Sequence, residues 1–268
     1  MKNNNRILMI FLLLPFTATA QDSLSLKTTP ALQPAESFTQ NKITGNIEMN
    51  YLRHYVWRGI LIGGNAVAQP ELNLKWKKFS LGLISNINYK PSALLKEDYT
   101  KQTMYDEQDV EAGYSTSYKK FDFECKAIGY LFFNQIDVPN TAELYNKTAF
   151  NINDKLSVFT ENVVDIVSFS GAYYNNTGVC YSTSFGKGFS AEATLYASSG
   201  NKKFNNAYFE SEAGGFNFIG GSVEATKDFG PFYLCFFAEI NNYTNKGIKQ
   251  VTQLKETDNY SFAVGWNF

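Results

Sequence analysis

Tyr260-Ser261-Phe262-Ala263-Val264-Gly265-Trp266-Asn267-Phe268 stands at the end of the sequence, and its reading decides the fold. Tyr260, Phe262, Val264, Trp266 and Phe268 alternate strictly with Ser261, Ala263, Gly265 and Asn267. One face is therefore apolar and aromatic and the other small or polar, the period-2 signature of an extended strand. A strand in a sandwich would alternate in the same way, so the choice depends on what surrounds it.

The alternation recurs from residue 43 onward. Ile43, Gly45, Ile47, Met49, Tyr51, Tyr55 and Trp57 share one parity, with Glu48, Asn50 and His54 on the other and Arg53 interrupting the apolar face. Further segments of this kind cover residues 68–76, 79–89, 109–118, 121–129, 143–152, 156–166, 173–183, 189–195, 215–227, 232–241 and 260–268. Residues 143–152 are the least legible, because both parities carry polar side chains. This gives about twelve strands, and single-chain bacterial barrels use even numbers.

The connections also sort by length. Lys77-Lys78, Lys119-Lys120, Asn153-Asp154-Lys155, Gly186-Lys187-Gly188 and Asp228-Phe229-Gly230 are short, whereas those between them, Ser170-Gly171 apart, are long. Transmembrane barrels have short turns at one end and longer loops at the other, and a sandwich has no reason to divide its connections so. The expected fold is all-β, a transmembrane antiparallel up-and-down β-barrel over residues 42–268.

Residues 1–20 hold Lys2 and Arg6, an apolar run too short to span a bilayer as a helix, and Ala18-Thr19-Ala20 before Gln21. They read as a cleaved secretory signal peptide. Residues 21–41, with Pro30 and Pro34 among Ser, Thr and Gln, read as a flexible linker. No later run approaches the length of an apolar spanning helix, so membrane residence requires a closed barrel that pairs its own backbone polar groups. The three cysteines, Cys125, Cys180 and Cys235, form no pair motif, and an odd count gives no disulfide framework. A net charge of −1 argues against a nucleic-acid partner.

The two faces then take different roles. The apolar parity suits lipid, with Tyr55, Trp57, Trp76, Trp266 and Phe268 as candidate anchors at the membrane interface. The polar parity is acidic. Glu48, Glu71, Asp109, Glu111, Asp122, Glu124, Glu161, Asp165, Glu192, Glu224 and Glu239 face Lys75 and Lys126, with His54 also on this parity and Arg58 and Lys147 as further candidate bases. In a closed barrel these residues would line the lumen. If it is open, the carboxylate excess favours cations. The other reading is a static plug of paired charges, side chains and loops.

The terminal stretch resembles the C-terminal signal strand of bacterial outer-membrane barrels, which ends in Phe and is read during barrel assembly. Tyr55-Val56-Trp57-Arg58-Gly59, followed by Gln69-Pro70-Glu71-Leu72 and Val110-Glu111-Ala112-Gly113-Tyr114, is similar to the Gcw_chp family of uncharacterised bacterial outer-membrane proteins. It departs from that pattern where Leu61-Ile62 follow Ile60 and the family has Ser-Gln. The resemblance implies a barrel in the outer membrane of a Gram-negative-type bacterium and no established activity. Read from the residues alone, Arg58-Gly59 is a strand end with a turn-permissive glycine.

Catalysis is not expected. The one histidine, His54, lies within reach of Glu48 along the sequence, but no Gly-x-Ser-x-Gly or Ser-His spacing accompanies it. No metal-ligand cluster or phosphate-binding glycine loop is legible, so no cofactor is expected. The expected function is a passive channel for small hydrophilic solutes with a cation-leaning lumen. A closed structural or surface-interaction barrel acting through its external loops is the alternative, and a lipid-modifying enzyme the third. Expected partners are outer-membrane lipid, the barrel-assembly machinery through Tyr260 to Phe268, and small solutes.

Overall fold

The computed structural model describes residues 42–63, 65–88, 105–133 and 138–268. The expected signal peptide and linker lie outside the described residues. Strands β1 (Thr44–Leu52), β4 (Val67–Trp76), β5 (Phe79–Asn88), β6 (Tyr105–Tyr118), β7 (Phe121–Phe132), β8 (Thr141–Asn151), β9 (Leu156–Asp165), β10 (Tyr173–Gly186), β11 (Phe189–Gly200), β12 (Gly215–Phe229), β13 (Phe232–Tyr243) and β14 (Glu256–Asn267) form one closed antiparallel barrel. Each pairs with its neighbour in sequence, and β1 closes the ring against β14. Two shorter strands, β2 (Tyr55–Trp57) and β3 (Ile60–Gly63), form a separate hairpin between β1 and β4.

The register follows from the alternation. Ile47, Met49 and Tyr51 oppose Trp266, Val264 and Phe262, so apolar residues stand beside apolar residues across the closing seam. At its end, Gly45 and Phe268 exchange both backbone hydrogen bonds, at 3.0 and 2.9 Å. Outward positions such as Leu81, Leu195, Val223, Phe236 and Phe262 are exposed although apolar. Inward positions such as Glu71, Asp109, Glu161 and Glu239 are buried although charged. This inversion of the usual soluble pattern is what a barrel in hydrocarbon requires.

The turns at one end are tight. Lys77, Lys119, Lys187 and Gly188 hold positive φ in them, as two-residue hairpin turns demand. At the other end, the β11–β12 connection carries helix α1 (Lys202–Phe209) and the β13–β14 connection carries α2 (Lys246–Thr252), both in stretches expected to be loops. Asn201 caps α1 by accepting from the Phe204 N–H, and Asn245 caps α2 by accepting from the Gly247 and Ile248 N–H groups. Phe204, Phe209 and Ile248 are buried beneath these helices, in one core with Trp57, Tyr130, Tyr174, Phe218 and Tyr243. The apolar core therefore lies inside the barrel, toward its long-loop end.

Candidate functional site: the lumen and its hairpin

Leu52 and Val67 are directly opposed across β1 and β4, and β2 and β3 stand outside the wall in the excursion between them. The β2–β3 hairpin in this excursion turns at Arg58 and Gly59, which hold φ of 47° and 76°. Tyr55, Val56, Trp57, Arg58 and Ile60 are all buried. Its contacts show where it sits. Arg58 meets Glu143 of β8, Tyr130 of β7 and Tyr174 of β10, while Gly59 meets Phe218 of β12 and Tyr243 of β13. A group that touches strands on several sides of a closed ring at once occupies its lumen.

The tip is fixed by a charged fork. Arg58 Nη1 and Nη2 donate to Glu143 Oε1 and Oε2 at 2.8 and 2.7 Å, and the Tyr130 hydroxyl donates to Oε2 at 2.7 Å. The guanidinium carbon lies 4.3 Å from the Trp57 ring centroid and 5.4 Å from that of Tyr174. Both side chains of the ion pair are nearly inaccessible, at 4% and 1% exposure. Behind the tip, the Gly59 carbonyl accepts from the Tyr243 hydroxyl at 2.5 Å and from Thr257 Oγ1 at 3.1 Å. A β-carbon on Gly59 would run into the Phe218 ring. Trp57 packs against Tyr208 of α1 at 4.9 Å between centroids, so the external helix and the internal hairpin share one aromatic stack. Burial, with the Glu143 and Asp165 carboxylates nearby, raises the Tyr208 hydroxyl above its ordinary range and keeps it a proton donor.

Beyond the tip the lumen is polar. Lys147 pairs with Glu161 at 2.7 Å, and Lys126 with Glu111 at 2.6 Å and Glu124 at 3.2 Å. Tyr196 donates to Glu239, Tyr233 to Glu48, and Asn50 Nδ2 to both Glu48 and Glu71 at 2.8 Å. Thr141 donates to Asp165 at 2.5 Å, and Asp122 accepts from Asn151 at 2.6 Å. Asp109 and Glu192 are buried, and Glu224 is half-buried with Thr226 donating to it at 3.3 Å. Lys75 is exposed near the tight-turn end of β4. A cavity of about 20 Å³ remains beside Arg58, Tyr145, Asn176 and Glu239. It has room for about one water molecule.

Two expected anchors are corrected. Tyr55 and Trp57 do not stand at the membrane interface but inside the barrel, because the chain turns inward at Arg53 and His54 and ends the first strand at Leu52. Arg58-Gly59 is accordingly the tip of an internal hairpin and not the end of a wall strand. Trp76, Trp266 and Phe268 are exposed on the outer face at the tight-turn end, the last two with rings 5.3 Å apart. His54 is half-buried and its backbone N–H donates to Asn259; the Glu48 carboxylate is engaged instead by Tyr233 and Asn50. Reading the sequence alone missed Glu107 and Glu143 in the lumen, together with Tyr130, Tyr145, Tyr174, Tyr196 and Tyr233. These tyrosines fall on the inward parity, and inward position rather than residue type was the signal that identifies them.

The fold and this lumen define the chain as a 12-stranded barrel of the membrane-spanning kind. No family model and no curated protein matches it. Among solved structures it is similar to the KdgM porin, with TM-score 0.51 and 13% identity over 84% of this chain and 99% of that one. It is similar to the NanC porin with TM-score 0.51 and 10% identity over 83% and 98%. An outer membrane channel from Pseudomonas putida F1 gives TM-score 0.51 and 10% identity over 88% and 99%. At such identities the likeness is one of fold.

Proposed function

We propose that this protein is a porin-like channel of the bacterial outer membrane, closed in the present conformation by its β2–β3 hairpin and passing small hydrophilic cations when the hairpin is displaced. The observation that carries this reading is the hairpin itself. It leaves the wall after Leu52 and returns to it before Val67, and its tip is held by the Arg58–Glu143 fork and two hydroxyls on the Gly59 carbonyl. A wall that needed no removable element could have joined Leu52 to Val67 directly, since they already face each other. The inward surplus of carboxylates over Arg58, Lys75, Lys126 and Lys147 supports a cation preference. Its assembly would run through the Tyr260 to Phe268 strand, and the Trp57-Arg58-Gly59 motif of the resembling uncharacterised family would be its hairpin tip.

The test is conductance in a planar bilayer under a KCl gradient. Exchange of residues 53–66 for a short Gly/Ser linker should turn brief, rare openings into long steps with a cation-selective reversal potential. A linker variant that keeps a heat-modifiable folded band yet stays silent would remove the channel reading. It would favour the second one, a closed barrel acting through α1, α2 and the neighbouring loops, for which the filled aromatic core speaks.

A further inference from the structure

The rim of tight turns is basic. Lys77, Lys78, Lys119, Lys120, Lys155 and Lys187 lie in these turns, against Asp154 in one of them and Asp228 beside another. Trp76, Phe79, Tyr118, Phe121, Phe229 and Trp266 stand exposed next to the turns on the outer face, an aromatic girdle of the kind that marks a membrane interface. The two layers touch. The Lys77 ammonium lies 4.8 Å from the Trp76 ring centroid, and that of Lys119 5.3 Å from the Tyr118 centroid. The lysines therefore stand at headgroup depth, where lipid phosphate is the anion within reach.

On the β11–β14 side, the wall below this rim carries an open groove of about 130 Å³. Its floor is Ala225, a small outward residue opposed by Ala191 on β11 and by Phe236 on β13, with Phe262 of β14 beyond. Lys227 stands one outward position nearer the turn, between Phe189 and Leu234, and lines the same groove. Its ammonium is held 4.6 and 5.1 Å from the ring centroids of Phe189 and Phe229 and donates to the Lys187 carbonyl. An ammonium has three donors, so this bond leaves two for a ligand. Among the described residues no carboxylate pairs with Lys187 or Lys227. Read from the rim toward the middle of the wall, the order is cation, aromatic ring, apolar slot.

We propose that this groove is a binding site for an anionic phospholipid, with the phosphate on Lys227 and Lys187 and a stretch of acyl chain over Ala225 between Phe189, Phe236 and Phe262. The order of groups along the wall matches the order of groups along such a lipid. A lysine that merely snorkelled to water would need no slot beneath it, and a slot for any acyl chain would need no lysine above it. The basic rim selects a headgroup with net negative charge over a zwitterionic one. The proposal rests on residence of the barrel in a membrane and is independent of whether the lumen conducts.

Native mass spectrometry of the folded protein in detergent, with dioleoyl phosphatidylglycerol or dioleoyl phosphatidylcholine added, tests it. The wild-type barrel should bind phosphatidylglycerol about tenfold more tightly, as two lysines at a headgroup, partly offset by Asp228, would give. Lys187→Gln/Lys227→Gln should abolish that preference while keeping the heat-modifiable band. Ala225→Phe, which fills the slot and leaves both lysines in place, should weaken phosphatidylglycerol binding as well. Glycerol phosphate at the same concentration should not displace the bound lipid. Equal binding of the two lipids by the wild-type protein would overturn the proposal, whatever the fate of the variants. So would a folded lysine variant that keeps the preference, an Ala225→Phe variant that binds as the wild type does, or displacement by glycerol phosphate, which would make the site one for phosphate alone.

Discussion

Arg58 sits in a left-handed backbone that costs an L-residue roughly 1–2 kcal/mol, at a turn position where Asn or Gly would be cheaper. Lys77, Lys119 and Lys187 accept the same conformation in the wall turns, with their side chains in the open. Arg58 alone among these four buries its charge, on Glu143. A buried ion pair is seldom more stable than well-packed apolar residues of similar volume, but removing one partner strands the other at a cost of about 3–5 kcal/mol. Glu143→Ala should therefore release the hairpin tip, seen as a large rise in open probability. The double variant Arg58→Met/Glu143→Leu should restore much of the closure. A double variant as open as the single one would mean that the fork does not hold the hairpin.

At the level of elements, the hairpin and the wall are separable. Gly59→Ala places a methyl group against Phe218 on a backbone of φ 76°, so it should prevent seating while leaving every wall strand paired. Proteolysis within residues 53–66 should then appear in a barrel whose folded gel band is unchanged. The wall strands were legible in the sequence because inward and outward environments differ so sharply that period 2 is written in full, as at Phe79, Leu81 and Leu83. The hairpin was not, since Tyr55 and Trp57 continue the outward parity of β1 although the chain has already turned inside. Strand β8 was obscured for the opposite reason, as Asn146 and Thr148 put polar residues on the lipid side. Helices α1 and α2 were missed because seven or eight residues with Asn caps read as ordinary polar loops. In the lumen the acids stood out by charge, while Glu107 and Glu143 lay at segment edges where parity was hard to assign.

For the whole molecule, the outward belt is the condition of insertion. Leu195, 65% exposed on β11, should tolerate Ile or Val, whereas Leu195→Arg should cost about 2–4 kcal/mol if it lies near the bilayer midplane. Folding titrations into lipid vesicles would measure this, and a neutral substitution would place Leu195 near a rim. The same ring that gives the belt its closure also joins residues 45 and 268 by reciprocal hydrogen bonds. Geometrically, the wall therefore has no first strand. A circular permutant linked across residues 45 and 268 and cut between Lys119 and Lys120 keeps every neighbour of the native ring, and should refold in detergent micelles. In a cell, its yield would separate the shape of the ring, which the permutant keeps, from the proposed reading of Tyr260 to Phe268 during assembly, which the permutant would disrupt.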